Sequence, residues 1–379
     1  MSTASQAQQR ADALPDDELR RLYRMMLLIR RFEERTEEQY TRARIGGYCH
    51  LNIGEEATVA GVVGAMAADD YLFASYRDHG VAIAVGSTPD GVMAELMGKE
   101  TGVAHGRGGS MHLLDVKHHF LGGWGIVGGQ LPVALGAALA LEYEERPGAV
   151  VCMLGDAAVN IGAFHESLNI AGVWHLPLVT IITNNQYGMG TSVEMASAEP
   201  ELYKRASAYR MPSERVDGQD VLAVREAAKR ALHLARDERQ PCVIECMTYR
   251  YRGHSVADAA HAKLYRTQAE IDEWMARDPL TIFGDRLRKR GLLNDKSAKE
   301  MAEEIEREVQ AAIDFAVSSP DPDPQALYVH MYNQAAQAQF ARMVPGAPFN
   351  ERHIAPEQAP PQAHAGESEQ PQEGVASTN

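Results

Sequence analysis

The sequence predicts an α/β fold with an open, mostly parallel sheet flanked by helices on both faces. Three observations predict it. The apolar runs 150–154 and 178–183 lack polar alternation and have the length of strands buried on both sides. Between them Ile161, Phe164, Leu168 and Ala171 or Gly172 recur at helical spacing, starting near Asn160, until Trp174-His175-Leu176-Pro177 ends the helix. Each run also closes on polar residues, Gly155-Asp156 and Asn184-Asn185, about 30 residues apart, the length of one strand-crossover-strand unit.

Taken in order, residues 1–15 are small and polar and are expected to be disordered. A long helix follows over 16–44, with Leu19, Leu22, Tyr23, Met26, Leu27 and Ile29 on its buried face. Residues 46–110 mix short helices with a strand near 71–75. The Gly- and His-rich stretch 102–136 reads as an irregular loop, and so long a loop in a compact domain is more often functional than idle. Core strands are expected at 149–154, 178–183, about 213–216 and 242–248, with a surface helix over 218–237. A polar loop after Arg252 leads into charged helices to about 345. Residues 346–379, dominated by Pro, Gln, Glu and Ala, cannot build a core and are expected to be disordered. The chain thus reads as one domain over 16–345.

Composition narrows the function. The 379 residues carry a net charge of −15 with no basic stretch, which argues against a nucleic-acid partner. No apolar run approaches the roughly 18 residues of a membrane span. The start of the chain lacks both an apolar signal core and an Arg-rich transit character, so a cytoplasmic setting is expected. Cys49, Cys152, Cys242 and Cys246 sit in apolar surroundings and read as reduced core thiols.

If the two central runs are parallel neighbours, Asp156 and Asn185 meet at the carboxyl edge of the sheet, where open α/β sheets bind ligands. A carboxylate and an amide oxygen, with backbone carbonyls beside them, are hard ligands suited to Mg²⁺ that also carries phosphates. The unit reads as a metal-diphosphate clamp.

Four further strings accompany it: GGYCHLNIGEEA at 46–57, SYRDHG at 75–80, GRGGSMH with GGWGIVGGQLP within 106–132, and TYRYRGHSVAD at 248–258. In this order they resemble the alpha subunits of the thiamin-diphosphate-dependent 2-oxoacid dehydrogenases, over roughly residues 20–330. The resemblance implies the thiamin-diphosphate-binding fold, with thiamin diphosphate and Mg²⁺ as cofactors. It implies Asp156, the Asn185 side chain and the Tyr187 carbonyl as metal ligands. It also implies Tyr76, Arg77 and the amides of Ala157 and Ala158 on the diphosphate, and Gly125 and Val127 at the turn near the cofactor ring. His50 and His254 match two histidines on the path of substrate and lipoyl group, where they serve the reacting carbonyl.

The activity implied is decarboxylation of a small 2-oxoacid, with transfer of the acyl group to the lipoylated dihydrolipoyl acyltransferase core. The strings TNNQYGMGTS and YRYRGHS are more similar to the pyruvate and acetoin members than to the branched-chain ones. In the family the glutamate beside the aminopyrimidine ring belongs to a beta subunit, so an α₂β₂ heterotetramer is expected. One departure stands out. The family usually has Gly-Asp-Gly, whereas this chain has Gly155-Asp156-Ala157. If Ala157 needed a positive φ, the cost would be of order 1 kcal/mol. The same departure is the one feature favouring a non-catalytic assembly or regulatory homologue.

Overall fold

The computed structural model describes residues 14–260, 262–324 and 326. Apart from 14 and 15, the ends expected to be disordered lie outside the described residues, as does the expected helical stretch from 327 to 345. The described residues up to 322 form one compact unit. Of the second unit, residues 323, 324 and 326 are described, closed into a turn by the Ala326 amide donating to the Asp323 carbonyl.

Six strands build the main sheet: β1 Tyr71–Ser75, β2 Phe120–Trp124, β3 Val150–Gly155, β4 Leu178–Asn184, β5 Ser213–Asp217 and β6 Cys242–Met247. All pair in parallel, in the order β2-β1-β3-β4-β6-β5. The main helices are α1 Asp16–Thr41, α2 Glu56–Val63, α3 His79–Val85, α4 Pro89–Leu96, α5 Gln130–Tyr143, α6 Gly162–Trp174, α7 Val221–Asp237, α8 Pro279–Lys289 and α9 Asp295–Ser318.

The central strands show why their sequences are predominantly apolar. Along β3, Val151 and Met153 join one core while Val150, Cys152 and Leu154 join the other. Val179 and Ile181 of β4 face the first core, and Leu178 and Ile182 the second. Successive side chains of a strand point to opposite faces, so a sheet covered on both sides needs apolar residues at every position. Leu131, Ala134 and Ala138 of α5, with Phe164 and Leu168 of α6, cover one face. Val59 of α2, Val92 of α4, Val224 of α7 and Ile305 of α9 cover the other.

Three sequence expectations need correction. The stretch 102–136 is not all loop: it contains β2, an edge strand of the sheet, and the first turns of α5. Its sequence FLGGW lacks the β-branched run that marks a strand, and pairing with β1 supplies the order instead. The crossover helix starts at Gly162 because a 3₁₀ turn, Asp156–Asn160, precedes it. On α1 the buried face takes Leu28, while Leu27 is only half-buried. The four cysteines are free and buried. No described helix is long and apolar enough to cross a membrane.

Candidate functional site

The chain leaving β1 turns toward β2, whereas the chain leaving β3 turns toward β4. The carboxyl ends of β1 and β3 therefore part, and a crevice opens at this switch of direction. A cleft of about 650 Å³ occupies it. Gly155 pairs with Thr183, and Asn184 is the last residue of β4, so Asp156 and Asn185 leave the sheet side by side. Tyr76 and Arg77 follow β1, Gly125 and Val127 follow β2, and Arg250 and His254 follow β6. Every site residue singled out in the sequence lines this one cleft: His50, Tyr76, Arg77, Gly125, Val127, Asp156, Ala157, Ala158, Asn185, Tyr187 and His254.

The two asparagines divide their work. Asn184 is structural: its Nδ2 donates to Glu245 Oε1 at 2.6 Å and its Oδ1 accepts from the Gln186 amide at 3.0 Å. Asn185 faces the cleft, with Nδ2 donating to Glu55 Oε1 at 2.8 Å and Oδ1 accepting from Arg250 at 3.3 Å. Arg250 donates also to the Tyr187 carbonyl, at 2.6 Å. The loop after Asn185 bends sharply, with Gln186 at φ 76° and Met189 at φ 55°. Left-handed backbone costs a non-glycine residue roughly 1–2 kcal/mol, so this loop is held by its surroundings.

The electrostatics are balanced. Asp156 and Glu55 place two buried carboxylates in the cleft, and Arg77 and Arg250 two buried guanidinium groups. Burial pushes the Asp156 carboxyl up to about 6; nearby Arg250 opposes that rise and Glu55 adds to it. Arg77 spans the cleft's wall, donating to the Leu51 carbonyl at 2.6 Å and the His254 carbonyl at 2.9 Å. His50, Tyr76 and His254 form a ring cluster, with centroids 4.4 Å apart for His50–Tyr76 and 5.0 Å for His50–His254. Burial, aided by the Arg77 charge, pulls His50 far below the ordinary histidine range and His254 down to about 4.

Against known proteins, the family described as dehydrogenase E1 component matches residues 23–325. The chain belongs to this family. It is 41% identical over 319 residues to the pyruvate dehydrogenase E1 component subunit alpha of Rhizobium meliloti, covering 84% of this chain and 90% of that one. Its Zymomonas mobilis counterpart is 40% identical over 317 residues, 83% of this chain and 88% of that one. The human testis-specific mitochondrial form is 41% identical over 312 residues, 82% of this chain and 79% of that one.

E1 enzymes of this kind depend on thiamin diphosphate, and the cleft's own atoms fit such a ligand. Four buried polar atoms of residues on its wall, His50 Nδ1, His254 Nδ1, Gln130 Oε1 and Arg250 Nε, have no protein partner. Buried polar groups are costly unless a bound molecule or water satisfies them. One carboxylate, one amide oxygen and one backbone carbonyl also match the oxygen ligands of a hard divalent ion, and leave room for diphosphate oxygens.

Ala157 is not among the residues with positive φ, so the departure from Gly-Asp-Gly carries no left-handed strain. Among the cleft residues not singled out in the sequence, Glu55, Gln130 and Arg250 bring buried polar side chains to its wall. All three lie inside the strings that carried the resemblance, and a charged or amide side chain within such a string was the available signal.

The histidines give the first prediction. Their folded pKa values lie below the ordinary value of about 6.5, so the unfolded chain binds more protons at acid pH. The associated stability is intact above pH 6.5 and is lost as pH falls toward 4. Thermal melts should show the parent losing melting temperature over that window faster than His254→Asn. Parallel pH profiles would contradict it.

Proposed function

We propose that this chain is the alpha subunit of a pyruvate dehydrogenase (acetyl-transferring) component. In this reading it takes part in the oxidative decarboxylation of pyruvate and in transfer of the acetyl group to a lipoyl group on a dihydrolipoyl acyltransferase core. The cleft at the carboxyl edge carries the reading: the Asp156, Asn185 and Tyr187 oxygens stand beside Arg77 and two neutral histidines. The substrate comes from the names of the relatives.

Bound thiamin diphosphate supplies the electron sink that lets a 2-oxoacid lose carbon dioxide. Asp156, Asn185 Oδ1 and the Tyr187 carbonyl hold Mg²⁺ in this reading. Tyr76, Arg77 and the amides of Ala157 and Ala158 bind the diphosphate, and the fork of Arg77 suits phosphate oxygens. Gly125 and Val127 border the ring. A neutral histidine can donate from one ring nitrogen and accept at the other, so His50 and His254 can hold or move a proton at the reacting carbonyl.

The described residues build one main sheet, and in this reading its cleft grips one end of the cofactor. The glutamate needed at the aminopyrimidine end is supplied by a beta subunit, in a cytoplasmic α₂β₂ heterotetramer. The test is turnover by the chain alone and by the chain assembled with its beta subunit, with pyruvate, acetoin and 2-oxoisovalerate. The assembled enzyme should turn over pyruvate fastest, and the lone chain none of the three. Pyruvate turnover by the lone chain would sink the split-site reading; preference for another substrate would replace pyruvate.

A further inference from the structure

We infer that Arg250 is a positioning residue that pre-forms the metal clamp by holding the two neutral oxygens, Asn185 Oδ1 and the Tyr187 carbonyl, before the ion arrives. The inference rests on the proposed metal-ligand reading and adds to it a residue that does not itself ligate the ion. Arg250 is among the largest fully buried side chains. One terminal nitrogen donates to the Tyr187 carbonyl at 2.6 Å and to Asn185 Oδ1 at 3.3 Å. The other donates to the Met189 carbonyl at 2.5 Å and the Tyr265 hydroxyl at 3.2 Å.

A guanidinium has donors and no acceptor, so Arg250 cannot itself ligate a cation. A carbonyl oxygen has two lone pairs, and a bond from Arg250 to one leaves the other for the ion, at Asn185 Oδ1 in place of a long 3.5 Å contact from the Tyr187 amide. The loop it grips is the one strained at Gln186 and Met189, and the bonded carbonyls of Tyr187 and Met189 lie on either side of Gly188. Without the guanidinium fork, those carbonyls lose that donor, and the short backbone pairing of Tyr187–Gly188 with Thr191–Ser192 is left to hold the loop.

Glu55 completes the device. An ionised carboxylate only accepts, so the Asn185 amide must turn Nδ2 toward Glu55, at 2.8 Å. Its Oδ1 is thereby left toward Arg250 and the clamp. The amide is thus set from one side by an acceptor and from the other by a donor. Glu55 also lies 3.8 Å from Arg77. Its charge and that of Asp156 offset the two arginines, so the fixed cation at Arg250 does not leave the site positive. Residues that orient metal ligands in this way typically change metal affinity 10- to 100-fold when removed.

The test reads metal binding rather than turnover. Mn²⁺ is titrated, with thiamin diphosphate present, into the full chain assembled with its beta subunit, and free Mn²⁺ is followed by electron paramagnetic resonance. The parent should bind and Asp156→Ala should not; a parent that binds none, or an Asp156→Ala that binds as the parent does, overturns the metal-ligand reading itself. Arg250→Met should bind roughly 10- to 100-fold more weakly, with Arg250→Lys intermediate because it keeps the charge and loses the fork. If Asp156→Ala loses the ion while a folded Arg250→Met binds like the parent, the role of Arg250 alone is overturned. Should Arg250→Met fail to fold, Arg250→Lys carries the test, and parental affinity in it overturns the inference.

Discussion

Replacing Asp156 with alanine is expected to lower turnover by the assembled enzyme roughly a thousandfold, the equivalent of several kcal/mol of lost charge stabilisation. Asp156 is the one anionic ligand in the proposed set, and the other two oxygens are neutral. The other buried carboxylate in the cleft, Glu55, is already engaged by the Asn185 amide. Asp156→Asn should be nearly as impaired, because it keeps the shape and loses the charge. Stability should move the other way. Burial makes the Asp156 carboxylate costly in the cofactor-free fold, pushing its pKa up to about 6. Removing that charge should leave the melting temperature of the cofactor-free protein unchanged or higher. Such opposition between stability and activity is common at binding sites. Wild-type turnover in Asp156→Asn would exclude the residue as a metal ligand.

Gly188→Ala should be the second most damaging change, and one that a second substitution repairs. A β-carbon added at Gly188 would meet the Ala157 β-carbon at 2.5 Å, closer than packing permits. Residue 188 follows Tyr187, and residue 157 follows Asp156. The overlap therefore drives two proposed ligands apart, at a cost typical of overpacking, about 1–3 kcal/mol. Ala157→Gly removes the obstructing methyl. In a double-mutant cycle the two changes should be strongly non-additive, with the double variant close to the parent in both denaturant stability and Mg²⁺ requirement. Additive losses would mean that the methyl of Ala157 is not the obstacle.

Much of this arrangement was legible in the sequence because it is written locally. The apolar runs of β3 and β4 gave strands whose ends place Asp156 beside Asn185, and α7 and α1 were readable from spacing within three residues of their ends. What escaped reading depends on partners far along the chain. β2 is ordered by pairing with β1, not by its own FLGGW. Leu28 replaces Leu27 on the buried face because α2, α8 and α9 decide which side of α1 is covered. The Arg250 contact with Tyr187 spans 63 residues, and that of Glu55 with Asn185 spans 130. No local periodicity reports contacts of that range, so the ligand positions could be named while the residues that aim them could not.

The central claim is that the carboxyl-edge cleft is the diphosphate and metal half of a shared cofactor site. Calorimetric titration of the assembled protein with thiamin diphosphate, with and without Mg²⁺, tests it most directly. One cofactor should bind per alpha chain when Mg²⁺ is present, and binding should be lost in chelator and in Asp156→Ala. Equally tight binding without a divalent ion, or in Asp156→Ala, would contradict it.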